Sequence, residues 1–296
     1  IALLLPAAGT AMAVDPVIQD LINQAGLKST TTQRGQMDTV GFAARAKQMD
    51  AVMEQVGLLA GPQRQAILDK YGWQEDTPFI AAVCPHDDYY YAGRLYGLVM
   101  PHIKAKRVII FGVFHKDRYC ETRERLVFGS FKKWHGPYGA VKVSPLREQI
   151  IQRLPEIDYM IDNNAQIVEH SVEAMVPFLQ AHNRDMEIVS ILVPYLRWKQ
   201  MDRISDDLAQ AISSLMREKG WKLGEDLCLI SSADAIHYGD ANVQSERKLA
   251  WNDTTDATQT ELFLDGSSLR IGVASDQTIG FDAVINALDI DSIYAV

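Results

Sequence analysis

The chain has 296 residues, 47% of them hydrophobic and 23% charged, enough for one large core or two small ones. The formal net charge is −9 and the Lys and Arg residues are scattered, so no basic stripe offers itself to a nucleic acid. Three cysteines, Cys84, Cys120 and Cys228, form no CxxC pair, which excludes a disulfide scaffold and a cysteine-rich zinc module.

The first thirteen residues contain a short apolar run, Ile1-Ala2-Leu3-Leu4-Leu5-Pro6-Ala7-Ala8, followed by the small-x-small site Ala11-Met12-Ala13. This pattern reads as the remnant of a secretory signal peptide cut after Ala13, and it places the protein outside the cytoplasm, in a periplasm or secreted. The run is too short to span a bilayer, and no other segment has the ~20 apolar residues a spanning helix requires. Residues 14–77 read as an N-terminal helical extension. Asp15-Pro16 starts a helix whose Val17, Leu21 and Ile22 share a face. The polar, Thr-rich stretch 28–36 reads as a linker. A second helix is expected from Asp38 to Leu59, ended by Gly61-Pro62.

From residue 78 onward the pattern alternates, and 78–296 reads as one α/β domain. Apolar runs at 79–84, 107–114, 126–131, 187–193 and 227–230 predict strands, and the intervening segments 93–103, 145–154, 171–181 and 199–219 predict helices. Runs that are apolar throughout suit strands covered on both faces, so the expected fold is α/β, a mostly parallel or mixed central sheet flanked by helices. Polar residues follow three of the strands: Pro85-His86-Asp87-Asp88-Tyr89, Phe114-His115-Lys116-Asp117 and Ser231-Ser232-Ala233-Asp234-Ala235-Ile236-His237. In open α/β sheets, sites form beyond the carboxyl ends of strands. A fourth element, Glu169-His170-Ser171, is expected to open a helix that aims into the same crevice. Four histidines at such ends, out of seven in the chain, point to a metal pocket, because neutral imidazole binds iron, copper and zinc. His102, His135 and His182 read as ordinary packing residues. No Gly-x-Ser-x-Gly elbow and no glycine-rich phosphate loop is present.

These residues carry a resemblance. Pro85-His86-x-x-Tyr89-x-Tyr91-x-Gly93, Gly112-x-x-His115, Glu169-His170-Ser171-x-Glu173-x-x-x-Pro177-Phe178-Leu179, Ser190-Ile191-Leu192-Val193 and Ser231–Gly239 resemble, in order, the motifs of the MEMO-like family (AmmeMemoRadiSam system protein B type). The resemblance implies a fold like the catalytic subunit of class III extradiol dioxygenases, which use non-haem iron. It implies that His86 and His115 bind a divalent metal, Fe(II) first and Cu or Zn as alternatives. Some members have a Cys as third ligand just before the last motif His; Ile236 stands there and cannot bind a metal. Asp234 and Asp87 are the expected oxygen ligands, with His237 or Cys120 as substitutes, and His170 and His237 are the expected proton-transfer residues. The expected function is a dioxygenase-like redox enzyme acting on a small molecule. The alternatives are a non-catalytic metal-, peptide- or protein-binding module, and a metal-dependent hydrolase. Export carries its own test: N-terminal sequencing of the protein from its native host should find Val14 at the start, and an uncut chain in the cytoplasm would refute it.

Overall fold

The computed structural model describes residues 14–233. Helix α1 (Pro16–Gln24) starts at Asp15, whose carboxylate accepts the N–H of Val17. Its buried side is set by Ile18, with Leu21 and Ile22 half-buried and Ala25 following, whereas Val17 is exposed. The face expected from the sequence is therefore turned by one residue. The stretch read as a linker contains strand β1 (Gln33–Arg34), which pairs with a later strand. Helix α2 (Ala46–Tyr71) begins eight residues later than Asp38 and runs straight through Pro62. Proline removes one helical N–H and crowds the carbonyl four residues back. Here that carbonyl belongs to Leu58, and both residues lie on the exposed side, so water can replace the lost bond. Phe42 and Ala43 are buried as expected, but in the loop before the helix.

Strand β2 (Ala81–Cys84) leads into α3 (Tyr89–Val99), and β3 (Arg107–Val113) into β4 (Leu126–Phe128). Two short strands, β5 (Lys133–Trp134) and β6 (Val141–Val143), precede α4 (Leu146–Ile151). Strand β7 (Tyr159–Ile161) is followed by α5 (Asn163–Val168) and, after turns at 171–175, by α6 (Val176–His182). Glu169 and His170 thus follow one helix and precede a set of turns rather than opening a helix. The described chain closes with β8 (Glu187–Val193), α7 (Trp198–Lys219) and β9 (Leu227–Ser232).

The strands form one mixed sheet in the order β1-β5-β6-β8-β3-β9-β2, with β4 bridging β8 to β7. The last four strands of this order, β8, β3, β9 and β2, are parallel to one another, so their carboxyl ends share one edge. Alternation along these strands divides the core. Val108, Ile110, Ile188, Leu192, Cys228 and Ile230 face the layer of α1, α2, α3, α5 and α6, while Ile109, Phe111, Val189, Ile191, Leu227 and Leu229 face α4 and α7. The result is a helix–sheet–helix sandwich. Helix α3 lies close against α2 because Gly97 has no side chain; a Cβ there would sit 2.2 Å from Val56 Cγ1. No helix of the described residues is long and apolar enough to cross a membrane.

Residues 14–71 are tied to the sheet by more than β1. Arg34 is 1% exposed. It pairs with buried Glu173, stacks on Trp134, and donates to the carbonyls of Gln166 (2.8 Å) and Glu169 (2.6 Å). Glu173 also accepts the N–H groups of Met37 (2.7 Å) and Asp38 (2.8 Å). Removing one partner of such a pair strands a buried charge. Arg34→Met and Glu173→Gln should each destabilise the protein by about 3–5 kcal/mol in urea denaturation. The double variant should cost clearly less than their sum, because the two groups are coupled; additive losses would show that the pair is not a unit.

Candidate metal centre

The parallel strands bring their following loops together. His86 comes two residues after β2, and His115 two residues after β3. The Glu169-His170-Ser171 segment is laid across the end of β3 because Gly112 leaves room for it. A Cβ on Gly112 would lie 2.5 Å from Ser171 Oγ and 2.6 Å from Val172 Cγ2. Ser171 Oγ donates to the carbonyl of Val113 (2.8 Å), fixing the segment on the strand.

Three imidazoles meet there. His86 Nε2 and His115 Nε2 are 3.3 Å apart, and each of His86, His115 and His170 offers one ligand atom within 4.8 Å of the others. The rings of His115 and His170 stack at 5.0 Å, and the ring of His86 stands edge-on to both. His86 is buried, whereas His115 and His170 are half-buried, so the cluster has one wet side.

Glu169 organises the cluster and is 1% exposed. Its carboxylate accepts the backbone N–H groups of His115, His170 and Ser171, each at 2.8 Å, and lies 3.0 Å from His115 Nδ1. Burial by itself pushes this carboxyl up; the hydrogen bond and charge of His115, the charge of His170 and the Ser171 N–H outweigh burial and hold it well below its ordinary value. An ionised carboxylate only accepts, so His115 Nδ1 carries a proton, and in the neutral ring Nε2 is the lone-pair nitrogen.

His170, expected as a proton-transfer residue, lies beside His86 and His115 as a third donor. Asp87 is exposed and its Oδ1 accepts the N–H of Asp88 (2.8 Å); its carboxylate is not part of the three-member group. Cys120, weighed as a substitute ligand, lies outside that group too, and burial pushes its thiol up to about 12, which keeps it protonated. Asp234, Ile236 and His237 lie outside the described residues. Carboxylates do flank the site. Burial raises the Asp88 carboxyl and nearby Asp38 and Asp87 raise it further, while His170 opposes them, so acidic groups gather beside the histidines. Of the tyrosine run, Tyr89 packs inward on Phe42, Tyr96 and Phe178, whereas Tyr90 and Tyr91 are exposed. His102 stacks on Phe79, and His135 Nε2 donates to the Ala44 carbonyl; both serve packing. The organising role of Glu169 escaped sequence reasoning, although the residue stood inside a recognised motif. A carboxylate next to a histidine gives no sign that it will serve a different histidine 54 positions away.

Residues 43–262 match the family model of Memo-like proteins. The chain belongs to the Memo-like family. Among its relatives, a MEMO1 family protein of Archaeoglobus fulgidus is 31% identical over 175 residues, covering 58% of this chain and 61% of the relative. One of Methanothermobacter thermautotrophicus is 33% identical over 111 residues, 37% of this chain and 36% of the relative. One of Pyrobaculum aerophilum is 28% identical over 207 residues, 68% of this chain and 69% of the relative. The chain thus spans between about a third and seven-tenths of the relatives it matches. Membership agrees with the mixed α/β sheet and its class III extradiol dioxygenase-like fold. Within this Memo-like fold, the three imidazoles could hold a divalent metal.

Glu169→Gln keeps the size but removes the charge, leaving one oxygen for several donors. It should destabilise metal-free protein by about 1.5–3 kcal/mol near neutral pH, the scale of a hydrogen bond to a charged group. A carboxyl whose folded pKa is depressed contributes fully above its unfolded value, ~4.3, and that contribution is lost as pH falls toward the folded value. The stability gap between wild type and variant should therefore narrow below about pH 4. A gap that is constant or widens as pH falls would contradict this.

Proposed function

We propose that His86, His115 and His170 hold a divalent metal, Fe(II) in the working protein, and that the protein is a metal-dependent redox enzyme acting on a small molecule. The support is the pair of Nε2 atoms facing each other at 3.3 Å. Two ligand nitrogens ~2.1 Å from one ion, at a tetrahedral angle, stand about 3.4 Å apart, so the spacing suits a shared cation. Imidazoles accept iron, copper and zinc; iron is our choice because the fold is that of the non-haem iron dioxygenases. Asp234 is our candidate for an added oxygen ligand, giving the mixed imidazole–carboxylate set that non-haem iron prefers. When bound, the ion supplies one-electron chemistry and Lewis acidity.

The chain's own residues do the rest. Glu169 fixes the ring of His115 and keeps its Nδ1 protonated. The Asp38, Asp87 and Asp88 carboxylates give the approach a negative field that favours cations. His237 is our candidate to carry protons to or from a bound substrate. Exposed Tyr90 and Tyr91, a few residues past His86, favour a second reading, a non-catalytic module that binds a peptide or protein partner over the metal.

Fe(II), handled anaerobically, and Cu and Zn should be titrated into wild type, His86→Ala, His115→Ala, His170→Ala and Asp234→Asn. Each His variant should lose well over tenfold in affinity, since even outer partners are worth ~10–100-fold. Equal binding by all the proteins, or none by wild type, would remove the metal centre. Oxygen uptake with catechols by the iron-loaded protein separates the enzyme from the binding module.

A further inference from the structure

His115 is backed by a carboxylate; His86 is backed by something else. Its Nδ1 lies 3.1 Å from Ser232 Oγ, and that hydroxyl donates to the carbonyl of Ser171 at 2.6 Å. Ser232 is wholly buried at the end of β9. Strand alternation puts it on the same face as Cys228 and Ile230, toward the helical layer from which the Ser171 segment comes. Neighbouring β2 presents Cys84 in register with Ser232, and His86 follows two residues on.

A serine hydroxyl has one proton, and a carbonyl oxygen can only accept. The short contact with the Ser171 carbonyl therefore takes that proton. Toward His86 the hydroxyl is left as an acceptor, so Nδ1 of His86 must carry the ring's hydrogen. Nε2 then becomes the lone-pair nitrogen and is the atom that faces His115 Nε2 at 3.3 Å. If both Nδ1 atoms are protonated, a hydrogen bond between the two Nε2 atoms needs an extra proton and makes one ring an imidazolium. A cation shared by both requires no such proton.

We infer that Ser232 is a positioning residue: its hydroxyl, anchored on the Ser171 carbonyl, locks His86 in the Nδ1–H tautomer and presents Nε2 to the centre. The hydroxyl acts through His86, whose Nδ1 it contacts. The tautomer part stands on hydrogen bonding alone, and only the expected effect on affinity rests on the metal reading above. Because His115 has a separate support in Glu169, a change at Ser232 should be felt at His86 and not at His115.

The test is nitrogen NMR of imidazole-labelled, metal-free protein at a pH above the ordinary histidine range, with resonances assigned from the single histidine variants. Wild type should show His86 protonated at Nδ1. Ser232→Ala should shift His86 toward a mixture of tautomers, leave His115 unchanged, and lower zinc affinity by about 10–100-fold, as loss of an outer hydrogen-bond partner does. Ser232→Thr, which keeps the hydroxyl, should restore both readouts. His86 protonated at Nε2 in wild type overturns the inference without need of any variant, so a Ser232→Ala protein that fails to fold does not rescue it. A Ser232→Ala protein that keeps the Nδ1–H form also overturns it. If the tautomer follows Ser232 while wild type binds none of iron, copper and zinc, the positioning role stands and the metal reading falls.

Discussion

The buried carboxylate of Glu169 is the constraint around which the site is arranged. An ionised group that is 1% exposed must be matched by donors, and here they come from two separate stretches of chain. The N–H groups of His170 and Ser171 belong to its own segment, while the N–H and ring nitrogen of His115 come from the loop after β3. Satisfying one charge therefore joins the loop to the segment and orients an imidazole at the same time. Ser171 adds a second tie through its hydroxyl and accepts Ser232 through its carbonyl, so the support of His86 and the support of His115 meet in adjacent residues.

A second buried charge holds that segment from behind. Arg34 takes the carbonyls of Gln166 and Glu169 while pairing with Glu173, and Glu173 in turn binds the chain at Met37 and Asp38. The N-terminal region is thus built into the wall of the centre, and its strand β1 extends the sheet. Buried, hydrogen-bonded charge is costly to misplace, so it specifies an arrangement more sharply than apolar contact does. A rigid mount of this kind is what a metal site needs if its ligands are to stand ready before the ion arrives.

The sequence by itself determined the family and the class of fold, and it singled out histidines that the structure brings together. The apolar runs at 107–114 and 187–193 became β3 and β8 with their bounds nearly unchanged, because a strand covered on both faces can carry almost nothing but hydrocarbon. His86 and His115 were legible because each ends such a run, and parallel strands bring their carboxyl ends to one edge. Three things were decided only by tertiary structure. Pro62 did not end α2, since its lost hydrogen bond faces water. Residues 28–36, polar enough to resemble a linker, contain β1 and the buried Arg34, whose charge is matched by Glu173 139 positions away. The parts of Glu169 and Ser232 likewise depend on partners far along the chain, His115 and His86. Local periodicity records whether a residue faces oil or water; which buried polar group meets which other is fixed only when the sheet has brought its strand ends together.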